Sequence, residues 1–457
     1  MPRVLIVSAN FPPLNTPDMQ RVRMSLPHFV DAGWEIVVLT VDDREPMAPL
    51  EPELLETIPA AVKVVRARAF SRHWSKWIGV NNLGLRTLPF LYATGCQLLR
   101  AEQFNLVYFS TTQFVLFPLG RLWRWEFDVP YVIDLQDPWL NDYYSQPGAP
   151  RPPGGWKYIF SNGTAKVLER WTMRRVAHVI SVSERYLVTL QQRYPWFTAA
   201  QGTALTFGAP DIDFATARRI FASAPRLLPA SNTFKIAYAG RLGADMLPAL
   251  NHLFAAVARF KDAPRPFELF FYGTSYAPAG QAKSTTTTLA ETHGIGALVQ
   301  EKPARIGYID SLRLLLEADL ALVLGSEDKA YSPSKVYPTL MAGRPTLAVA
   351  PAGSVLVDKL QELGGAALVD FSGNGLDLDA VARLRQSLDE FTQHPGLNLG
   401  PPARLDLITR QYSAAAIAAQ QLAIFNRLIR QAQPPATTGR LEEFWPDLPG
   451  ATLEAKQ

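Results

Sequence analysis

The 457-residue chain has one cysteine, six scattered histidines and no hydrophobic run of bilayer-spanning length. A single Cys excludes a disulfide framework and any cysteine-built zinc site, and it fits a reducing compartment. The histidines stand at positions 28, 73, 178, 252, 293 and 394, with none at an i, i+4 ligand spacing, so no metal site is expected. The N-terminus has an apolar run of only Val4–Val7 and no cleavage-site pattern behind it, which points to a cytoplasmic chain. Low complexity is absent too, since 48% hydrophobic, 19% charged and 11% aromatic side chains describe a globular protein. The length predicts two or three domains, each large enough to bury its own core.

A net charge of +4 is too small for binding by phosphate neutralisation alone, and no nucleic-acid partner is expected. The excess lies early: residues 1–205 carry 21 Lys+Arg against 17 Asp+Glu, and residues 206–457 carry 24 of each. Residues 61–100 hold Lys63, Arg66, Arg68, Arg72, Lys76, Arg86 and Arg100 and no acid, interleaved with Phe70, Trp74, Trp77, Phe90 and Tyr92. Arg72, Trp74, Lys76 and Trp77 are the mixture that suits an anionic membrane surface, and Arg121, Trp123, Arg124 and Trp125 would extend it. The other reading is a solvated loop and helix whose aromatics are core.

Short β-branched runs at Val4–Val7, Ile36–Thr40, Val62–Arg66, Leu106–Ser110 and Val129–Leu135 alternate with helical stretches at Gln20–Ala32, Leu85–Glu102, Val115–Trp125 and Asn162–Val176. A second series has strands at Lys235–Ala239, Phe267–Tyr272, Val299–Lys302, Ile306–Tyr308, Leu320–Leu324, Thr346–Ala350 and Ala367–Val369. Helices separate these at Met246–Phe260, Asp310–Ala318, Ser334–Ala342 and Ser354–Leu363. Alternation of this kind predicts two doubly wound parallel α/β domains in tandem, with ligands at the C-terminal ends of the strands. A late helix, Ser413–Gln431, precedes a Pro- and Thr-bearing tail.

Two segments carry chemistry. Lys235–Leu250 runs from a strand through a glycine turn into a helix: Gly240 and Gly243 let the backbone approach a ligand, and Arg241 suits a phosphate. The turn is not GxGxxG, so a dinucleotide is poorly supported, and an ordinary βα turn with a surface Arg is the alternative. In Ser332–Val349, Ser332 or Ser334 is expected to cap a short helix that Gly343 ends, placing Lys335 and the helix start beside the preceding loop. Such a start suits a phosphate or a cluster of sugar hydroxyls.

The pattern Pro333-Ser-Lys-x-x-x-x-Leu-x-Ala-Gly-Arg-Pro345 resembles the donor-site helix of GT-B glycosyltransferases of the GT4-like, retaining group. Phe11-Pro-Pro with Arg21, Gly33–Thr40, Phe104–Tyr108, Val132–Trp139, Phe207–Asp211 and Arg305–Ile309 are similar to further segments of that family. The resemblance implies an α/β GT-B architecture: an acceptor domain over 1–205, a nucleotide-sugar domain over 206–410, a helix at 411–432 crossing back, and a tail at 433–457. It also implies metal-independent, retaining transfer of a hexosyl unit from a nucleotide-diphosphate sugar to a saccharide or lipid-linked acceptor, in cell-surface polysaccharide or glycoconjugate synthesis. No cofactor is implied. Asp137, Arg241 and Lys335 would be catalytic; Gly240, Gly243, Gly273, Tyr308, Glu327, Tyr331, Ser332 and Ser334 would bind the donor; Asn15, Thr16 and Arg21 would serve an acceptor or phosphate loop. Asp134 is expected to face away from the cleft.

There are departures from the family pattern. Ala330 and Pro338 occupy the places of two glutamates that bind sugar and ribose, so Glu327, Asp328 or Tyr331 would have to substitute. Met246 stands near the place of a lysine, and the opening loop reads Leu14–Asp18 without paired glycines. A GT-B protein that binds nucleotide sugar or glycan as a partner subunit without turnover is therefore an alternative, and a GT-B epimerase is another.

Overall fold

The computed structural model describes residues 1–42, 44, 46, 48–77, 81–140, 156–260, 265–275, 284–328, 334–373 and 375–431, with the side chains of 156–160 excepted. Its first sheet holds β1 (Arg3–Val7), β2 (Glu35–Asp42), β3 (Lys63–Arg68), β4 (Leu106–Ser110), β5 (Tyr131–Leu135), β6 (His178–Ser181) and β7 (Gly202–Ala204). Between them run α1 (Gln20–Asp31), α2 (Arg72–Trp77), α3 (Leu83–Ala101), α4 (Pro118–Phe127), α5 (Trp156–Met173) and α6 (Glu184–Arg193). After α7 (Asp211–Ser223) the second sheet follows: β8 (Phe234–Ala239), β9 (Phe267–Tyr272), β10 (Val299–Lys302), β11 (Leu320–Leu324), β12 (Thr346–Pro351) and β13 (Ala367–Phe371). Its helices are α8 (Leu247–Ala258), α9 (Thr286–Thr292), α10 (Tyr308–Glu317), α11 (Val336–Met341), α12 (Val355–Leu363), α13 (Leu378–Gln393) and α14 (Leu405–Leu407), and α15 (Ala414–Gln431) comes last.

Every strand pair is parallel. The strand orders are β3-β2-β1-β4-β5-β6-β7 and β10-β9-β8-β11-β12-β13, so each sheet reverses direction once, at β1/β4 and at β8/β11. Such reversals open a crevice beyond the strands' C-terminal ends. Both faces of each sheet are covered, which is why the strands read as continuous apolar runs. In β1, Leu5 and Val7 pack with Leu91 and Trp123 of α3 and α4, whereas Val4 and Ile6 pack with Val22, Leu26 and Phe425 of α1 and α15.

α15 thus belongs to the core of the first domain although it follows the second in sequence. Phe425 meets Phe29, Trp34 and Tyr108, and Gln421 links Ser25 Oγ (2.7 Å) to the Tyr108 hydroxyl (3.0 Å). The two chain crossings between domains run side by side: Ala209 N donates to Tyr412 O and Ala414 N to Ala209 O. A Cβ on Gly208 would overlap the Ala414 backbone, so a glycine is needed where the crossings touch.

Two expectations change. Ile306 and Gly307 form a loop rather than a strand, and Tyr308 opens α10. The cause is tertiary: Glu51 of the first domain accepts from the Tyr308 and Ile309 amides, both at 2.7 Å, and fixes the helix start there. The helix after β11 starts at Val336 with Lys335 as its N-cap residue and no side-chain cap, so Ser334 does not cap it. Gly343 has φ 68°, as the helix stop requires. Residues 433–457 lie outside the described residues.

Candidate active site in the interdomain cleft

The reversal points of the two sheets face each other. Between them lies a cleft of about 280 Å³, reached by Asn15 after β1, Gly240 and Arg241 after β8, Gly273 after β9, Arg305 after β10, and Ser334 and Lys335 after β11. Of the residues singled out in the sequence, the fold brings together Asn15, Gly240, Arg241, Gly273, Tyr308, Ser334 and Lys335.

Lys335 is placed by a glycine. Gly240 has φ 123°, and a Cβ there would overlap Lys335 Nζ, so only glycine lets the ammonium cross the turn. Nζ then lies 3.4 Å from Arg241 O and 5.2 Å from the centre of the Tyr238 ring. Burial, and next the Arg241 charge, push the ammonium down to about 8, with Asp245 opposing them. A bound dianion would restore what desolvation removes.

Arg241 is held from below. Asp245 takes its guanidinium in two bonds of 2.7 and 3.2 Å and also accepts from Ser326 Oγ at 2.8 Å. Burial works against the Asp245 carboxylate, but these bonds outweigh it and keep the group below its usual range. Gly243 explains its own conservation of space: a Cβ there would overlap both Arg241 and Asp245. It supports the pair and does not line the cleft. Glu327 is exposed, with its amide donating to Asp245 O at 2.8 Å. Met246 is buried beneath the Tyr238 hydroxyl at 3.6 Å.

The loop after β1 divides. Asn15 is buried and its Oδ1 accepts from Arg305 Nη2 at 3.3 Å, joining the two domains across the cleft. Thr16 carries a buried hydroxyl without a partner among the described residues. Arg21, expected to serve a phosphate, is occupied elsewhere: it forms an ion pair with Asp134 through Nε at 2.9 Å, without hydrogen-bond geometry, while Nη1 donates to Thr206 O and Nη2 to Leu205 O. It is a bolt between β5 and the interdomain crossing. Asp134 is buried on the same bolt and also accepts from Ser110 (2.7 Å) and Gln136 (3.0 Å).

Asp137 follows β5 outside the lined cleft. Burial, and then the charge of Asp18, raise its carboxyl above the ordinary range. Tyr186 on α6 feels both Asp137 and Asp328, so acids from the two domains converge on one phenol. Sequence reasoning missed Tyr186 and did not single out Arg305. Their signal is position alone, since each lies just beyond the C-terminal end of a strand. Tyr331 and Ser332 lie outside the described residues.

The basic stretch is partly spent. Lys63 pairs with Glu102 and Arg100 with Glu126, Arg66 donates to Pro12 O, and Arg86 is buried against Phe70 O. Trp123 is core beneath Gly95, and Arg121 is buried on Trp171, so neither extends a surface. α2 keeps its tryptophans outside, with Trp74 77% and Trp77 85% exposed beside exposed Lys76, while Arg72 donates to Asn81.

Residues 20–199 match the family model described as a glycosyl transferase 4-like domain. The matched segment, 180 of the 457 residues, holds Asp137, Tyr186 and α2, whereas Arg241 and Lys335 lie beyond it. Among curated proteins none matches the sequence. Solved structures are similar over the whole chain. Sucrose-phosphate synthase from Thermosynechococcus elongatus has TM-score 0.59 at 16% identity, covering 94% of this chain and 100% of its own. Anabaena HepE in complex with UDP and glucose has TM-score 0.55 at 13% identity, covering 93% and 100%. WaaG, a glycosyltransferase involved in lipopolysaccharide biosynthesis, has TM-score 0.50 at 12% identity, covering 94% and 98%. The architecture is GT-B.

Proposed function

We propose that the protein is a retaining glycosyltransferase that moves a hexosyl unit from a nucleotide-diphosphate sugar to a saccharide or lipid-linked acceptor, in cell-surface polysaccharide or glycoconjugate synthesis. One observation carries it: Arg241, Arg305 and Lys335 converge on a cleft between two sheet reversal points, and no carboxylate is among its described lining residues. Such a site attracts a diphosphate and stabilises it as it leaves. HepE, solved with UDP and with UDP-glucose, shares this architecture and supports a nucleotide sugar as the ligand.

In the reaction the bond from the anomeric carbon to the β-phosphate oxygen breaks, and the acceptor oxygen bonds to the same face. The acceptor proton passes to the departing phosphate. Asp137, which stands beside the cleft and not in its lining, is the group assigned to accept the hydrogen bond of that hydroxyl and orient it. Arg241, fixed by Asp245, and Lys335, threaded past Gly240, neutralise the leaving group without reorganising. Arg23 of the first domain, paired with Asp213 of the second, holds the two walls of the cleft together.

The acceptor side is read from α2. Its exposed Trp74, Lys76 and Trp77, with Arg72, dock the protein on an anionic membrane at the cytoplasmic face. Equal co-sedimentation with neutral and anionic liposomes, or none with either, would sink this docking. For the reaction itself, release of nucleoside diphosphate in the presence of a membrane lipid fraction is the test. Arg241→Ala is expected to abolish it, whereas nucleotide binding without any release would leave a partner subunit.

A further inference from the structure

Tyr308, Ser311 and Leu312 of α10 line the cleft, and so do Arg305 and Gly307 on the loop ahead of it. This helix has no cap of its own. Its N-cap residue is Gly307, which carries no side chain to accept from the first amides of the helix. The acceptor comes from the other domain. Glu51 takes the Tyr308 amide on Oε2 and the Ile309 amide on Oε1, each at 2.7 Å, and is only 7% exposed. Burial raises its carboxyl above the ordinary range, and the two amides oppose the rise. A Cβ on Gly307 would crowd Oε1 at 3.0 Å, so glycine leaves the carboxylate its room.

Glu51 is itself tied to the loop after β1. Its amide donates to Pro13 O at 2.7 Å and the Asn15 amide to Pro49 O at 2.9 Å, with Leu14 and Leu50 paired antiparallel between them. Asn15 and Glu51 therefore stand on one two-stranded bridge of the first domain, and both reach into the second. Asn15 Oδ1 accepts from Arg305, and Glu51 accepts from the amides three and four residues further on. Behind them Met19 and Leu54, fully buried, pack with Phe214, Ile309 and Leu312 of the second domain. An ordinary cap, whose loss costs stability alone, is the plainer reading. Against it stands Arg305, a cation of the cleft held by the same bridge.

We infer that Glu51 is a positioning residue for ligand binding: through the start of α10 it sets where Arg305 meets the ligand, and so makes the cation array depend on contact between the domains. Glu51 is not itself in the lining. The inference rests on the nucleotide-sugar reading above, which supplies the diphosphate.

The test is isothermal titration of the full chain with UDP, GDP, ADP and dTDP, beside a thermal melt of each variant. Glu51→Ala is expected to bind whichever diphosphate the parent binds about tenfold more weakly, and Glu51→Gln, which keeps one accepting oxygen, is expected to lose less. Asp377→Ala is the control. Asp377 caps α13 through two amides in the same way, outside the cleft lining, so its loss should lower the melting midpoint and leave affinity unchanged. On an Arg305→Ala background, Glu51→Ala should cost less than about threefold, because the group it positions is gone. Glu51 variants that bind as tightly as the parent, or more tightly for want of a negative charge, overturn the inference and leave an ordinary cap. An equal loss of affinity in Asp377→Ala, or the full loss on the Arg305→Ala background, overturns it too. Should Glu51→Ala fail to fold, Glu51→Gln decides alone: weakened binding supports the inference and parental binding overturns it. A parent that binds none of the four diphosphates overturns the nucleotide-sugar reading, and the inference with it.

Discussion

Arg21 and Arg23 of the first domain and Arg241 and Lys335 of the second are all cations near the ends of parallel strands, yet they do opposite work. The first pair is buried against protein: Arg21 by its ion pair with Asp134 and by the carbonyls of Leu205 and Thr206, and Arg23 by Gln20, Thr57 and Asp213 at 2.6 to 3.0 Å. The second pair lines the cleft, steadied from one side by Asp245 and Tyr238. Residue type does not separate them. What does is whether the opposing surface is protein or the space left for a ligand.

That contrast can be broken in order of size. Arg23→Ala leaves Asp213 buried without its counter-charge, and a loss of about 3–5 kcal/mol is expected in denaturant unfolding. Replacing Arg23 and Asp213 together with apolar residues should restore most of it. A value below about 1 kcal/mol for the single variant would show that the interface is not the bolt described here.

His178 gives a pH test of the same packed domain. It is buried between Thr203 (2.9 Å) and Arg427 of α15 (3.2 Å); burial, and then the Arg427 charge, push it down to about 4. The unfolded chain takes this proton near pH 6.5 and the folded chain near 4, so the unfolded state holds more protons in between. Stability is therefore complete above about pH 6.5 and falls as pH drops toward 4, by roughly 3 kcal/mol. His178→Gln should flatten that part of the profile relative to the parent, and parallel profiles would contradict the assignment.

Lys335→Met should weaken nucleoside diphosphate binding by about 10–100-fold, the worth of a charge-assisted bond, while leaving thermal stability unchanged or raised. In the parent protein, affinity should fall as pH rises past about 8, where Lys335 loses its proton. Smallest is Lys63→Ala, which removes an exposed pair with Glu102 and should change stability by less than about 0.5 kcal/mol.

Strands with strong local signal were legible from residues alone. Leu106–Ser110, Phe267–Tyr272 and Leu320–Leu324 coincide with β4, β9 and β11, being apolar runs bounded by turns. His178–Ser181 and Gly202–Ala204 escaped notice because four and three residues carry too little pattern, and they exist by pairing with β5 and with each other. α13 was overlooked despite its signal, since Asp377 caps it from the Asp379 and Ala380 amides. Ile306–Tyr308 misled because the group that fixes the start of α10 is Glu51, some 250 positions away in sequence.

The site divides along the same line. The glycine turn at Gly240 and the Ser334-Lys335 helix start were legible because backbone geometry demands particular residues there. The fate of Arg21, Arg86 and Arg121 was not, because a guanidinium reaches whatever the fold sets opposite it. By itself the sequence determined two parallel α/β domains and the loops that end their strands, since periodicity, glycines and caps act over a few residues. Which cations face the cleft, and which are spent holding it shut, was decided only by tertiary structure. Charge is neutralised by neighbours in space, and those neighbours stand far along the chain, as Asp134 does for Arg21 and Asp213 for Arg23.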